Sequence, residues 1–268
     1  MSENRLPEAV LAYRQALLSH PDDPGLLRGL ARALAAQGRD RSAAQALERA
    51  AAVSPDDPAA QAALAGLTSR PQDGLGLRLA WLADGAPSEP VGAAAAEGRV
   101  IVAYAGGELL AFEGPSGRRL WQVESPAAFT SPPAAEGDQV WVGAEDGSLR
   151  IYAAGSGQPL GDYKTGAAVY AAPALTPGVA FCPSNDGWLY AVDRASLALR
   201  WKARVGEALH ASPLAAGGSV YVGANDGRLY AFLASSGERL WPEGILTQGA
   251  VESVPALDRG RLFFGSGD

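Results

Sequence analysis

Apolar residues along the chain follow two different rhythms. Up to about residue 68 they recur at three- and four-residue spacing, the period of one helix face. Leu27, Leu30, Ala31 and Leu34 share one such face, and Ala43, Ala46, Leu47 and Ala50 share the next, the two segments parting near Gly38. Farther on, alternate residues are apolar in short runs: "GRVIVAY" from 98, "DQVWVGA" from 138, "GVAFCPS" from 178, "SVYVGAN" from 219 and "GRLFFGS" from 260. Each of the first four leads through a tight turn into a second alternating run, such as "LYAVD" from 189 or "LYAF" from 229. Alternation broken by Gly and Asp turns predicts antiparallel strands. The chain therefore reads as multidomain, α then all-β: helices over 1–68, a polar linker "SRPQDG" over 69–74, and strands over 75–268.

Each part repeats. "SHPDDPGLL" at 19–27 returns as "VSPDDPAAQ" at 53–61, and Pro21 to Pro55 is a step of 34 residues. Each Pro-Asp-Asp is expected to stop one helix and cap the next. Small residues at Ala31, Ala43 and Ala50, large ones at Leu30, Leu34 and Leu47, and the closing Pro55 resemble a tetratricopeptide repeat. Ala9, Tyr13, Ala16 and Pro21 keep that register in a preceding half-repeat, and Leu64 and Ala65 in a following one. Repeats of this kind need neighbours to bury their faces, so the leading half-repeat leaves three expectations open: the chain is a fragment, Met1 is not the biological start, or the second domain covers that face.

Trp81, Trp121, Trp201 and Trp241 are spaced by 40, 80 and 40 residues, with Gly161 where a further Trp belongs. Pro90, Pro132, Pro173, Pro213 and Pro255 echo the step. A unit of about 40 residues with four short strands is a β-propeller blade. About five four-stranded antiparallel blades are covered; "GRLFFGSGD" stops where earlier repeats continue, so either the propeller is truncated or its two ends close one blade. "AFEGPSGRRLW" at 111–121, "AVDRASLALRW" at 191–201 and "AFLASSGERLW" at 231–241 resemble the tryptophan-docking motif of the pyrroloquinoline-quinone-like propellers. That resemblance implies that Trp81, Trp121, Trp201 and Trp241 wedge between blades, with Gly117 and Gly237 as motif glycines. "IYAAGSGQPLG" at 151–161 has lost its Trp, and Leu197 stands where Gly belongs. The second blade interface is accordingly expected to be the weakest.

Charge and chemistry narrow the choices. Residues 1–70 carry eight basic and eight acidic side chains, residues 71–268 carry 14 and 21. With no basic footprint, nucleic acid is not an expected ligand. No apolar run approaches the ~18 residues of a membrane span. "MSENRLPEAV" has neither the basic nor the apolar region of a secretory signal, so a cytoplasmic protein is expected if Met1 is the native start, and a periplasmic or envelope one otherwise. Cys182 is alone, and His20 and His210 are far apart in sequence. This argues against disulfides, zinc and histidine-based triads. His210 reads as a satisfied structural residue.

Asp146-Gly147, Asp186-Gly187 and Asp226-Gly227 recur at one repeat position, which favours turn formation over metal binding. Arg28 and Arg32, four residues apart on a helix, could line a peptide groove. No cofactor is expected. The combined reading is a non-enzymatic scaffold that binds protein or peptide partners. The family resemblance keeps two alternatives open, a quinone-dependent or ligand-sensing propeller and an envelope-assembly protein like the outer-membrane assembly lipoprotein.

Overall fold

The computed structural model describes residues 6–68, 71–72, 77–78 and 80–268. It forms two compact units, one of Met1–Asp84 with Pro115–Gly117, the other of Gly85–Gly114 with Arg118–Asp268.

The first unit opens with α1 (Leu6–Ser19), α2 (Pro24–Ala36), α3 (Asp40–Val53) and α4 (Pro58–Thr68). The repeated Pro-Asp-Asp does cap helices. The Asp23 carboxylate accepts the Leu26 N–H at 2.8 Å, with Pro24 in the first turn. Asp57 likewise accepts from the Ala59 and Ala60 N–H groups. Such caps contribute about 1 kcal/mol each. Ala31, Ala43 and Ala50 are buried with Leu30, Leu34 and Leu47 in one core. Their small side chains let the helices approach closely. Gly29 is the extreme case, because a Cβ there would strike the Tyr13 ring.

The segment read as a linker, 69–74, lies largely outside the described residues. Within it β1 (Pro71–Gln72) pairs antiparallel with β2 (Leu77–Arg78). Leu82 packs on the helical core, within the compact unit that runs to Asp84.

The second unit holds four four-stranded antiparallel sheets and a pair. The first is β3 (Pro90–Ala96), β4 (Arg99–Tyr104), β5 (Glu108–Glu113) and β6 (Arg119–Glu124); the second is β7 (Ala134–Glu136), β8 (Gln139–Gly143), β9 (Ser148–Ala153) and β10 (Pro159–Lys164). The third is β11 (Ala174–Leu175), β12 (Val179–Pro183), β13 (Trp188–Asp193) and β14 (Leu199–Arg204). The fourth is β15 (Leu214–Ala216), β16 (Ser219–Gly223), β17 (Arg228–Leu233) and β18 (Ile245–Leu246), followed by β19 (Ala256–Asp258) and β20 (Arg261–Phe263). Strands run in chain order within every sheet, as propeller blades require. Among the described residues no strand of the last pair joins the first sheet, so these sheets do not close a ring. The chain's β part thus ends on two strands where the sequence suggested one.

Blade contacts explain the 40-residue step. The Trp121 indole lies over Gly157 of the next blade, where a Cβ would come within 2.8 Å of the ring, and its Nε1 donates to the Ala154 carbonyl at 3.0 Å. Trp201 repeats this on Gly237 and the Ala234 carbonyl. In the first unit, Trp81 lies over Gly117. Each of these glycines has positive φ, between 71° and 74°, so the motif Gly both turns the chain and clears a seat for the ring. Within its blade, the Trp241 ring meets Tyr221 at 5.6 Å between centroids.

The second interface is built differently. In blades one and three, register places Ile101–Ala111–Trp121 and Phe181–Ala191–Trp201 side by side across three strands. In blade two the same row is Trp141–Ile151–Gly161. The indole has moved from the outer strand to an inner one, where Trp141 is fully buried. The seat is reversed as well: Leu197, at φ 57°, reaches back over Gly161, and a Cβ on that glycine would lie 2.5 Å from its methyl group. Trp141, Leu149 and Ile151 of blade two then join Ala180, Cys182 and Tyr190 of blade three in one core.

Arg194 adds a polar clamp here. It donates to the Glu136 carboxylate and carbonyl and to the Thr176 carbonyl, each at 2.6 Å, and to the Gln139 amide oxygen at 3.0 Å. The expected weak interface therefore carries its own replacement contacts.

Candidate functional site

The Asp-Gly turns come first, because the sequence singled them out. Each aspartate braces its own hairpin, and two reach beyond it: Asp186 Oδ2 also accepts the Gly166 N–H at 2.9 Å, and Asp146 lies 3.4 Å from the Lys164 ammonium. Asp186 accepts the Trp188 N–H at 3.0 Å on one oxygen and the Tyr190 hydroxyl at 2.6 Å on the other. Asp226 does the same with the Arg228 N–H and the Tyr230 hydroxyl. Asp146 accepts the Ser148 N–H and pairs with Arg150 at 2.9 Å. Burial works to raise the Asp146 carboxyl, but the two Ser148 donors, Arg150 and Lys164 outweigh it and hold it below the usual range. The turn glycines face the following loop. Gly147, Gly187 and Gly227 have φ of 82°, 81° and 77°, and their carbonyls accept from Thr165, Val205 and Thr247.

Burial and the bond to Asp226 push the Tyr230 phenol up to about 12, and Tyr190 is raised likewise beside Asp186. A tyrosine whose pKa is higher folded than unfolded contributes stability below about pH 10, and this is lost as pH rises through the folded value. Asp226→Asn is expected to lower the Tyr230 titration only in part, because burial, the larger cause, remains, while changing stability near neutrality by less than about 1 kcal/mol. Ultraviolet phenolate titration with urea unfolding checks both. By contrast Gly227→Val, forced into positive φ and within 3.1 Å of the Gly249 carbonyl, is expected to cost about 2 kcal/mol or more. Equal effects from the two substitutions would contradict this division of roles.

Beside these turns lies an arrangement that single residues did not reveal. The loops between blades bury Phe129, Val169, Leu209 and Val251 in register, and the residue after each anchor is Thr130, Tyr170, His210 and Glu252. The turn tips hydrogen-bond to these same loops, Asn185 N–H to the Ala168 carbonyl and Asn225 N–H to the Ala208 carbonyl. His210 consequently sits between two turns. Its Nε2 is 3.0 Å from Asn185 Oδ1, and its Nδ1 is 3.3 Å from Asn225 Nδ2. Tyr170 meets the imidazole edge-on at 5.4 Å, and Glu252 Oε1 lies 3.7 Å from Nδ1. Asn225 Oδ1 is buried without a hydrogen-bond partner. His210 is thus structural in its bonds, as expected, yet it stands at the centre of an exposed polar arc. The signal for it was the repeat alignment of Thr130, Tyr170, His210 and Glu252, whose differing chemistry hides their common position.

Arg28 and Arg32, read as lining a peptide groove, have different surroundings. Arg28 donates to Asp57 at 2.7 Å, and that carboxylate is only 13% exposed. The partner lies 29 residues away in the cap of α4, so Arg28 ties two helices together. Arg32 is exposed, and one guanidinium alone does not make a clamp. Trp188, outside the docking positions, lies under the Lys202 ammonium at 4.7 Å. Cys182 is fully buried, and burial pushes its thiol well above the usual range, which makes it inert packing.

A tetratricopeptide repeat model matches residues 1–67, and a model described as outer membrane protein assembly factor BamB matches residues 147–268. No curated protein matches the chain. Among solved structures, the computationally designed Ika8 protein aligns with a TM-score of 0.62 at 19% identity, over 68% of this chain and 57% of its own. BamB from Moraxella catarrhalis aligns with a TM-score of 0.45 at 19% identity, over 63% of this chain and 76% of its own. The designed Ika4 protein gives 0.48 at 19% identity, over 53% and 88%. The chain spans little more than half the length of the Ika8 design, and likeness at this identity speaks to fold alone. The chain joins a tetratricopeptide repeat segment to BamB-like repeats of the pyrroloquinoline-quinone-like propeller type.

Proposed function

We propose that this chain is a non-enzymatic scaffold that holds polypeptide partners. The observation that carries the reading is the exposed arc of Tyr170, His210 and Glu252, in which one repeated backbone frame displays a different side chain from each successive loop. A rigid frame with variable loop residues is suited to recognition. The groups nearest to chemistry are engaged otherwise: the aspartates in their turns, Cys182 in the core. The test is a photo-crosslinking amino acid placed at Tyr170 and, separately, at Arg32. A partner captured in stoichiometric amount, and lost when the loops are exchanged between blades, supports the reading. Saturable turnover of a small molecule by the purified protein would overturn it.

A second reading is favoured by the match of residues 147–268 to the assembly-factor model. It is service in outer-membrane protein assembly, with the protein in the cell envelope. Fractionation that recovers the native protein wholly from the cytosol would exclude it.

A further inference from the structure

We infer that the Tyr170–His210–Glu252 arc recognises an arginine side chain of a partner polypeptide; the inference rests on the scaffold reading and names the chemistry of its contact. The contacts of His210 fix the frame of the arc. Asn185 Oδ1 can only accept, so Nε2 carries the proton and donates to it. Nδ1 then holds the lone pair and accepts from Asn225 Nδ2. Both ring nitrogens are satisfied and the ring is fixed between two blades.

Glu252 Oε1 stands 3.7 Å from Nδ1, beyond hydrogen-bond distance. Among the described residues no donor reaches its carboxylate, and its side chain is 59% exposed. A carboxylate this exposed is open to an external cation with N–H donors. The neighbouring Tyr170, 43% exposed, supplies an aromatic surface on the same arc. Carboxylate and aromatic ring on either side of His210 suit an arginine side chain, whose guanidinium can fork onto a carboxylate and pack on an aromatic face. A compact ammonium uses only the carboxylate. The surroundings agree in sign: residues 71–268 carry 21 acidic against 14 basic side chains, and Glu145 and Glu207 are exposed in the adjoining turn and loop. An arginine-bearing segment would be drawn in by that field.

With only two histidines, His20 and His210, the imidazole region of a proton–nitrogen spectrum reports on the arc directly. The probe is acetyl-Gly-Gly-Arg-Gly-Gly-amide, and its control replaces Arg with citrulline, which has nearly the same shape without the charge. The expected result is a saturable shift of His210 with the arginine peptide and none at His20. Affinity should fall at least about tenfold for the citrulline peptide and for Glu252→Gln, and by a smaller factor for Tyr170→Phe than for Tyr170→Ala. No shift, an equal response to citrulline, or an unchanged response in Glu252→Gln would overturn the inference. The scaffold reading fails separately. A partner cross-linked at Tyr170 whose capture ignores Glu252→Gln sinks the arginine contact and keeps the scaffold. Peptide binding with no partner captured at either probe position does the reverse.

Discussion

Gly161→Trp, which restores the missing member of the tryptophan series, is expected to destabilise the propeller by about 3 kcal/mol or more, the upper range for forcing bulk into a filled core. The consensus of the repeat argues the opposite, since Trp stands at 121, 201 and 241. The row across blade two explains the difference. Trp141 and Ile151 already occupy the volume that Phe181 and Ala191, with Trp201, occupy in blade three, and Leu197 lies against Gly161 from the neighbouring blade. A new indole has no seat. Leu197→Gly should open it, and Ile151→Ala should relieve the row. The triple variant is therefore expected to recover part of the loss, the φ of 149° at Gly161 still straining any side chain there, although Leu197→Gly and Ile151→Ala each destabilise when made alone. Coupling among the three sites should amount to about 2 kcal/mol, in the range for residues in contact. Urea unfolding followed by tryptophan fluorescence measures it. Additive losses would mean that the seat has not been reversed but merely lost.

This interface also marks how far the sequence could be read. The positions of the exchange were visible, because Gly161 and Leu197 each broke the motif. Their compensation was not, since it depends on Trp141 and Ile151 sharing a row with Gly161, a matter of register rather than period. Helix caps were legible because Asp23 and Asp57 act within three residues of themselves. The Arg28 ion pair was hidden for the complementary reason: its partner Asp57 belongs to the next repeat, and only the packing of α2 against the start of α4 joins them. The arc around His210 lay deeper still. Asn185, His210, Asn225 and Glu252 are separated by 15 to 27 residues, and no motif links them. They meet because every turn tip bonds to the loop beside it. Short-range chemistry and repeat period were therefore readable, while contacts between repeats needed the fold.

Arg194→Ala is expected to cost about 3–5 kcal/mol, the loss typical when one partner of a buried, hydrogen-bonded charge is removed. Its side chain is 9% exposed and its donors reach Glu136, Gln139 and Thr176. Two of the acceptors are backbone carbonyls, at Glu136 and Thr176, which alanine leaves without their donor. Gln139 loses on one side only, because its amide still donates to the carbonyl of residue 194. Lysine should rescue little, since a single ammonium cannot meet acceptors set around a planar fork. Glu136→Gln should be milder, because the carbonyl contacts remain and the Glu136 side chain is 39% exposed. The ordering Ala, then Lys, then Glu136→Gln, from largest loss to smallest, distinguishes a clamp built on the fork from a surface ion pair. A surface pair would give under about 1 kcal/mol throughout and fade with salt. Hydrogen exchange locates the effect: in Arg194→Ala, protection should fall first at β7–β8 and β11–β14, on either side of the reversed seat, while β3–β6 keep theirs. Uniform loss across all blades would instead show that Arg194 supports the propeller as a whole, and that the interface without a docking tryptophan is held by Trp141 and Leu197 alone.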